Sequence, residues 1–189
     1  MEAVSASADR GRINMLDCLV VYASETGNTK MIADEIYRAL PTDSKKLIDV
    51  RSWNGAHDAG TYFIGFWTNR GTCSLETIDL LSSLHGKKVA LFGTCGMGNT
   101  EEYYKKIEKN ALAWLDDDNV FLGSYFCQGK MPMAVKDKYI SLRDRCDPEQ
   151  IASMIKAFDD ALSHPDRQDL LKANIFVDDV YRKLVKLNN

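Results

Sequence analysis

The sequence predicts an α/β fold: a three-layer, doubly wound parallel sheet of five strands with helices on both faces. Three observations predict it. Short, wholly apolar runs rich in β-branched residues recur through the first two thirds of the chain, as in strands buried on both faces. Between them lie stretches with apolar residues at helical spacing. Each run also ends in a loop of Gly, Ser, Thr and Asn leading into a helix, so successive strands are joined by right-handed crossovers.

The elements follow in order. Residues 18–22 (Cys-Leu-Val-Val-Tyr) form the first strand, and Met31, Ile32, Ala33, Ile36, Tyr37, Ala39 and Leu40 place a helix behind it that Pro41 stops. Residues 46–50 give a short second strand. Residues 51–60 are too polar and irregular for a clear helix, so the second crossover looks abbreviated. Residues 61–67 are apolar throughout and form a central third strand. Ser74 or Thr72 caps the next helix, which carries Ile78, Leu81 and Leu84. Residues 87–93 are the fourth strand. A helix from Glu101 to about Leu115 buries Tyr104, Ile107, Ala111 and Leu115, and residues 119–126 are the fifth strand.

Beyond residue 127 the pattern weakens. Residues 128–132 read as a loop and 135–142 as a short helix. Asp147 and Pro148 then open a well-capped helix with a stripe of Ile151, Met154, Ile155, Phe158 and Leu162. The last helix, 168–187, sets Leu170, Ala173, Val177, Val180, Leu184 and Leu187 at three- and four-residue steps. That stripe suits docking on its own domain, pairing with a second copy as a homodimer, or lying on a partner. The expected organisation is a disordered extension over 1–14, one domain over 15–165 and a helical extension over 166–189.

Composition narrows the function. With 189 residues, 45% apolar, 27% charged and a net charge of −3, the chain is ordinary for one globular domain and has no dominant basic patch for nucleic acid. No apolar run approaches the ~20 residues that span a bilayer, and the polar opening is not a secretory signal. Cys18, Cys73, Cys95, Cys127 and Cys146 are widely spaced without a Cys-x-x-Cys, which suggests neither a disulfide framework nor a metal site and fits a reduced, cytoplasmic setting. None has an Arg six residues on, as a low-molecular-weight phosphatase needs. His57, His85 and His164 fall in loops or at helix ends, without carboxylate partners at ligand spacing, and read as solvated.

The chemistry concentrates in three loops. In an open parallel sheet, ligands bind outside the carboxyl ends of the strands, where strand order reverses. The first loop, Ser24-Glu25-Thr26-Gly27-Asn28-Thr29, sets hydroxyls, a glycine and an amide at a helix N-terminus, where a phosphate is well held. It lacks the Lys of a nucleoside-triphosphate loop and the glycines of a dinucleotide fingerprint, so it suits a single phosphomonoester. The same loop also suits an ordinary strand–helix turn capped by Ser24 or Thr26. The second loop offers Trp67, then Thr68, Asn69 and Gly71; the Trp could cover a planar ring or simply end a buried strand. The third offers Gly93, Thr94, Cys95, Gly96, Met97, Gly98 and Asn99, where main chain can approach a ring edge closely. Cys95 there reads as a small lining thiol. Together the three loops suit a flavin.

The pattern Ser/Thr-x-Thr-Gly-x-Thr after a first strand resembles the phosphate loop of flavodoxins, and from about residue 16 to 162 the chain is similar to that family. Gly65-Phe66-Trp67-Thr68-Asn69-Arg70-Gly71-Thr72, Leu91-Phe92-Gly93-Thr94-Cys95-Gly96 and Phe126-Cys127-Gln128-Gly129-Lys130 further resemble a bacterial subgroup that, in some gut anaerobes, accompanies the reductase converting bilirubin to urobilinogen. The resemblance implies strand order 2-1-3-4-5 and non-covalent flavin mononucleotide (FMN). It implies Ser24, Thr26, Gly27, Asn28 and Thr29 on the phosphate and Trp67 against the ring. Flavodoxins often stack a Tyr from the fourth-strand loop on the other ring face; here no aromatic lies between Gly93 and Thr100, so Met97 or Tyr103 would substitute. Acidic surroundings lower flavodoxin potentials. Glu25, Glu101 and Glu102 would help here and Arg70 oppose, so a less extreme potential is expected. The expected activity is electron transfer between a reductase and an acceptor protein. The alternative is direct reduction of a quinone or tetrapyrrole by a flavin enzyme with residues 127–145 as a lid, and a third reading is a flavin-free scaffolding module.

Overall fold

The computed structural model describes residues 15–69, 71–98 and 100–187. The expected disordered extension over 1–14, together with Arg70 and Asn99, lies outside the described residues. Five strands, β1 (Leu16–Tyr22), β2 (Lys45–Asp49), β3 (Ala59–Trp67), β4 (Lys88–Cys95) and β5 (Val120–Gln128), form one sheet in the order β2-β1-β3-β4-β5. Every pair is parallel. This is the predicted fold class.

The continuous apolar runs follow from burial on both faces. Leu19 and Val21 of β1, Tyr62, Ile64 and Phe66 of β3, and Val89 and Leu91 of β4 point into one core. That core is closed by α2 (Leu75–Ser82) and α3 (Glu101–Leu112), whose Leu80, Leu81, Ile107 and Ala111 are buried in it. Val20, Phe63, Ala90 and Phe92 point into the other core, closed by Ile32, Ala33 and Ile36 of α1 (Asn28–Ala39). The alternation is the two-residue period of a strand. Gly65 lies opposite Phe92 in the register, and a Cβ on it would sit 2.1 Å from the Phe92 ring. The glycine makes room for a fully buried aromatic on the neighbouring strand.

As the sequence indicated, the crossover from β2 to β3 is abbreviated: a single 3-10 turn, Val50–Ser52, precedes irregular chain. After β5 come α4 (Met133–Ser141) and α5 (Pro148–Ala161), which pack on each other, and then α6 (Arg167–Leu187). Asp147 caps α5 as expected, its carboxylate accepting from the Glu149 N–H.

Helix α6 lies beside α1 and against β5. Its Ala173, Phe176, Val177 and Val180 are buried in the second core, with Leu170, Tyr181 and Leu184 packed around them. Asn174 Nδ2 donates to Glu35 Oε1 of α1 at 3.0 Å, and the Tyr125 hydroxyl of β5 donates to the Asp169 carbonyl at 2.8 Å. The buried part of the apolar stripe docks on its own domain. Two expected core residues are instead exposed. Leu162 ends α5 facing solvent, and Leu187 stands on a last turn that runs past the core. Phe176, absent from the expected stripe, is buried against Phe63. No helix among the described residues is long and apolar enough to cross a membrane.

Candidate functional site

The site begins where β1 ends. Ala23 N–H donates to the Gly65 carbonyl at 2.8 Å, the last ladder bond before the chain turns into α1. Gly27 takes the N-cap position with φ of 87°, in the left-handed region where glycine carries no steric penalty. The first turn of α1 contains no acidic residue, so the positive end of the helix dipole is left uncompensated. Ser24 Oγ accepts from the Lys30 N–H at 3.2 Å, but the cap itself is Gly27, which has no side chain, so neither Ser24 nor Thr26 is the capping residue.

A cavity of about 460 Å³ opens beside this turn, within the usual range for small-molecule sites. Glu25, Thr26 and Asn28 line it from the first loop. Trp67, Thr68, Asn69 and Gly71 line it from the end of β3, and Thr94, Cys95, Gly96 and Met97 from the end of β4. Tyr103 adds a wall from α3. Twelve of the residues singled out in the sequence are thus brought to one place. The segment after β3 is held tightly: Thr68 N–H donates to the Thr94 carbonyl at 3.0 Å, and Asn69 and Thr72 exchange main-chain bonds of 2.8 and 3.1 Å. Asn110 Nδ2 of α3 donates to the Gly71 carbonyl at 2.8 Å.

Four expected residues stand elsewhere. Ser24 faces a smaller neighbouring pocket of about 110 Å³ that shares Glu25 and Trp67 with the cavity. Gly27 supplies backbone at the turn. Thr29 is buried behind the cavity, its hydroxyl 2.9 Å from that of Thr94, pinning the first turn of α1 to the end of β4. Gly98 packs on the Tyr103 ring. Asn99 lies outside the described residues.

A fourth wall comes from the segment 127–145 that the alternative reading set over the ring as a lid, though none of its residues was among the expected cofactor contacts. Gly129, Lys130, Met131 and Pro132 leave β5 along the cavity, and α4 sends in Val135 and Tyr139. The Tyr139 hydroxyl reaches Met97 Sδ at 3.5 Å, joining α4 to the β4 loop across the cavity. The signal in the sequence was the four-residue step from Val135 to Tyr139, two apolar faces on one side of a short helix. Gly129 N–H donates to the Cys95 carbonyl at 3.0 Å, and Lys130 N–H to the His164 carbonyl at 2.9 Å. A Cβ on Gly129 would lie 2.9 Å from Asn28 Nδ2, so glycine lets the β5 exit close onto the first loop. Asn28 Nδ2 donates to the Lys130 carbonyl and to Thr26 Oγ1, both at 2.9 Å, whereas Asn28 Oδ1 is buried without a partner.

No thiolate stands among the described residues that line the cavity. Burial pushes the Cys95 thiol up to about 12, so it is protonated at neutral pH. Burial likewise raises the Tyr103 and Tyr139 hydroxyls. His85 is 60% exposed, in keeping with the solvated expectation, but carboxylates stand near it and near His164. His85 lies near Asp116 and Asp118 at 3.2 and 3.6 Å, and His57 meets Lys46. His164 Nδ1 is 2.5 Å from Asp169 Oδ2, which also accepts from the Asp166 N–H. The chain folds their partners to them across loops, which linear spacing does not reveal.

The flavodoxin domain family model matches residues 19–178. The chain belongs to the flavodoxin family. It is 34% identical over 166 residues to the flavodoxin-like domain-containing protein BilS of Clostridioides difficile strain CD3, covering 84% of this chain and 92% of that protein. A second BilS, from Clostridium symbiosum strain WAL-14163, is 29% identical over 169 residues, covering 80% and 88%. Among solved structures, oxidised flavodoxin 2 from Bacillus cereus is 19% identical with a TM-score of 0.49, covering 88% of this chain and 99% of that one. A flavoprotein from Lactobacillus acidophilus in complex with FMN is 18% identical with a TM-score of 0.45, covering 59% and 93%. In this flavodoxin, the cavity stands at the carboxyl ends of β1, β3 and β4, where the order of a flavodoxin sheet reverses.

Proposed function

We propose that the cavity holds FMN and that the protein carries electrons from a reductase to an acceptor protein. The observation that carries this reading is one shared cavity. An acid-free helix N-terminus with Thr26 and Asn28 opens into the same space as the indole of Trp67. The fit of the residues supports it. Asn28 Oδ1 is a buried acceptor without a donor, and a ribityl hydroxyl is such a donor. When bound, the flavin supplies one- and two-electron transfer.

The chain's own groups do the rest. The main-chain N–H groups at the start of α1, with the Thr26 hydroxyl, bind the phosphate and fix its position. Asn28 orients that loop by tying it to Lys130. Trp67 and Tyr139 would supply flat aromatic surface to the ring system. Met97, Met131, Val135 and the protonated Cys95 thiol keep water from it. The peptides of Gly96 and Met97 offer hydrogen-bonding groups to the ring edge.

Absorption spectroscopy tests the proposal. Purified protein supplied with FMN and desalted is expected to stay yellow, to quench flavin fluorescence and to bleach with dithionite. A colourless protein that leaves FMN fluorescence unchanged overturns it.

A second reading, direct reduction of a small acceptor, is favoured by one observation: α4 covers the cavity with Val135 and Tyr139, as a substrate lid would. Steady-state oxidation of NAD(P)H with a quinone or tetrapyrrole, without partner protein, would establish it.

A further inference from the structure

We propose that α4 and the turn after it form the docking surface for an acidic face of the redox partner. The inference rests on the electron-carrier reading above and assigns the kind of partner that reading leaves open. Residues 130–147 contain five cations, Lys130, Lys136, Lys138, Arg143 and Arg145, and three anions, in a chain of net charge −3. The sign of the net charge therefore reverses locally, in the segment that supplies Lys130, Val135 and Tyr139 to the cavity.

The ion pairs sharpen the contrast. Lys136 is engaged with Asp159 of α5 at 2.5 Å, and Asp147 is committed to capping α5. Lys130, Lys138, Arg143 and Arg145 have no ion-pair partner among the described residues; Asp137 and Asp144 are the free anions beside them. On other walls Glu25 lines the cavity, and Glu101 and Glu102 form the first turn of α3 just before Tyr103, with Lys105 3.9 Å from Glu101. The charge balance is thus positive in the segment of α4 and negative at the head of α3.

Two features point to a protein surface as the occupant. The cations are spread along a helix and the turn after it; apart from Lys130, they do not line the cavity. Between them Met133 and Ile140 are 58% and 44% exposed, and α4 buries no residue of its own. Exposed apolar side chains among unpaired cations provide both the desolvated centre and the charged rim of an interface. Tyr139, on the same helix, lines the cavity, so a partner seated on α4 stands one side chain from the flavin. The opposite charge accelerates encounter and fixes orientation.

The test follows electron transfer from dithionite-reduced holoprotein to three oxidants as ionic strength rises. These are an acidic rubredoxin, a basic cytochrome c and ferricyanide. In each case one electron leaves the reduced flavin and reduces one ferric centre. The expected result is a rate to rubredoxin that falls with added salt and a rate to cytochrome c that rises or stays flat. Replacing Lys138, Arg143 and Arg145 together by Glu, all exposed and outside the cavity, is expected to slow rubredoxin about tenfold at low salt while leaving FMN affinity and spectrum unchanged. Single Lys138→Gln and Arg143→Gln variants give smaller losses in the same direction and cover failure of the triple variant to fold. A rate to rubredoxin that rises with salt, or is indifferent to it, overturns the proposal. So does a salt response to ferricyanide alone, which would mean that the cations gather small anions. A protein that binds no FMN overturns the flavin reading and this surface together. A yellow protein with the wrong salt response overturns the surface alone.

Discussion

Asn28 Nδ2 donates to the main-chain carbonyl of Lys130 at 2.9 Å, joining the first loop of the chain to the exit of its last strand across 102 residues of sequence. The same nitrogen reaches Thr26 Oγ1, so one side chain sets the width of the loop and anchors it. Its carbonyl oxygen is left buried without a donor. An unmet buried acceptor costs about 1–3 kcal/mol, which a bound ligand able to donate recovers.

Replacing Asn28 should therefore affect binding more than folding. Asn28→Ala removes both donated bonds and is expected to weaken FMN about 10- to 100-fold, in line with the loss of hydrogen bonds worth ~1–3 kcal/mol. Asn28→Asp is expected to be worse than Ala, because it also sets an anion beside the phosphate loop. Fluorescence titration of FMN decides the order. Equal affinity for Asp and wild type would contradict it.

The aromatic walls give a second expectation. Trp67→Ala removes an indole whose flat face is the largest at the cavity, and should weaken FMN by about 1–2 kcal/mol, or roughly 5- to 30-fold. Tyr139→Leu should raise residual flavin fluorescence, with a smaller loss of affinity. Tyr139→Phe should be close to wild type in affinity, since it keeps the ring and gives up only the long contact to Met97.

Cysteine labelling reports the burial argument. Cys18, Cys73, Cys95 and Cys127 are buried, and desolvation raises the pKa of each; Cys146 is exposed. A thiol raised to about 12 has almost no thiolate at pH 8, and thiolate is the form that alkylates. Iodoacetamide at pH 8 should thus modify the native protein once, at Cys146, and the unfolded protein at all five positions. Raising the pH to 9 should not bring Cys95 into reach. Mass spectrometry of native and urea-unfolded samples reads both results.

The last helix provides a stability test. Phe176 meets Phe63 edge to face at 6.2 Å and tilts against Tyr125 at 6.1 Å. Phe176→Ala should cost about 3–5 kcal/mol, the range for emptying a buried aromatic site. The exposed Ile175 beside it should tolerate Ala with a change below about 0.5 kcal/mol. Urea denaturation of the two variants distinguishes a helix built into the core from one appended to it.

How much was legible in advance differs between elements. The inner strands read correctly because β1, β3 and β4 are buried on both faces, so residues such as 18–22 and 61–67 are almost wholly apolar, whereas the edge strands β2 and β5 are only partly buried. The first three loops could be assigned in advance to one rim because hydroxyls, glycines and a Trp at strand ends are unusual locally. The segment 127–145 was legible only as an alternative lid, and its lining side chains not at all, because α4 buries nothing and therefore carries no strong periodicity; its Val135 and Tyr139 face a cavity, not a core. Leu162 and Leu187 were assigned to buried stripes because a helical repeat continues in sequence beyond the point where the sheet stops covering it.

By itself, then, the sequence determined the alternation of strand and helix, the parallel sheet and the phosphate-suited turn at the head of α1. Those depend on short-range patterning, on which residues neighbour each other along the chain and which must avoid water. The tertiary structure alone decided that Asn28 would meet Lys130, that Tyr139 would face Met97, and that α6 would fill the second core. Such contacts join residues far apart in the chain. They depend on how the sheet's twist and the packing of its layers bring distant loops to one edge, and no local spacing encodes that.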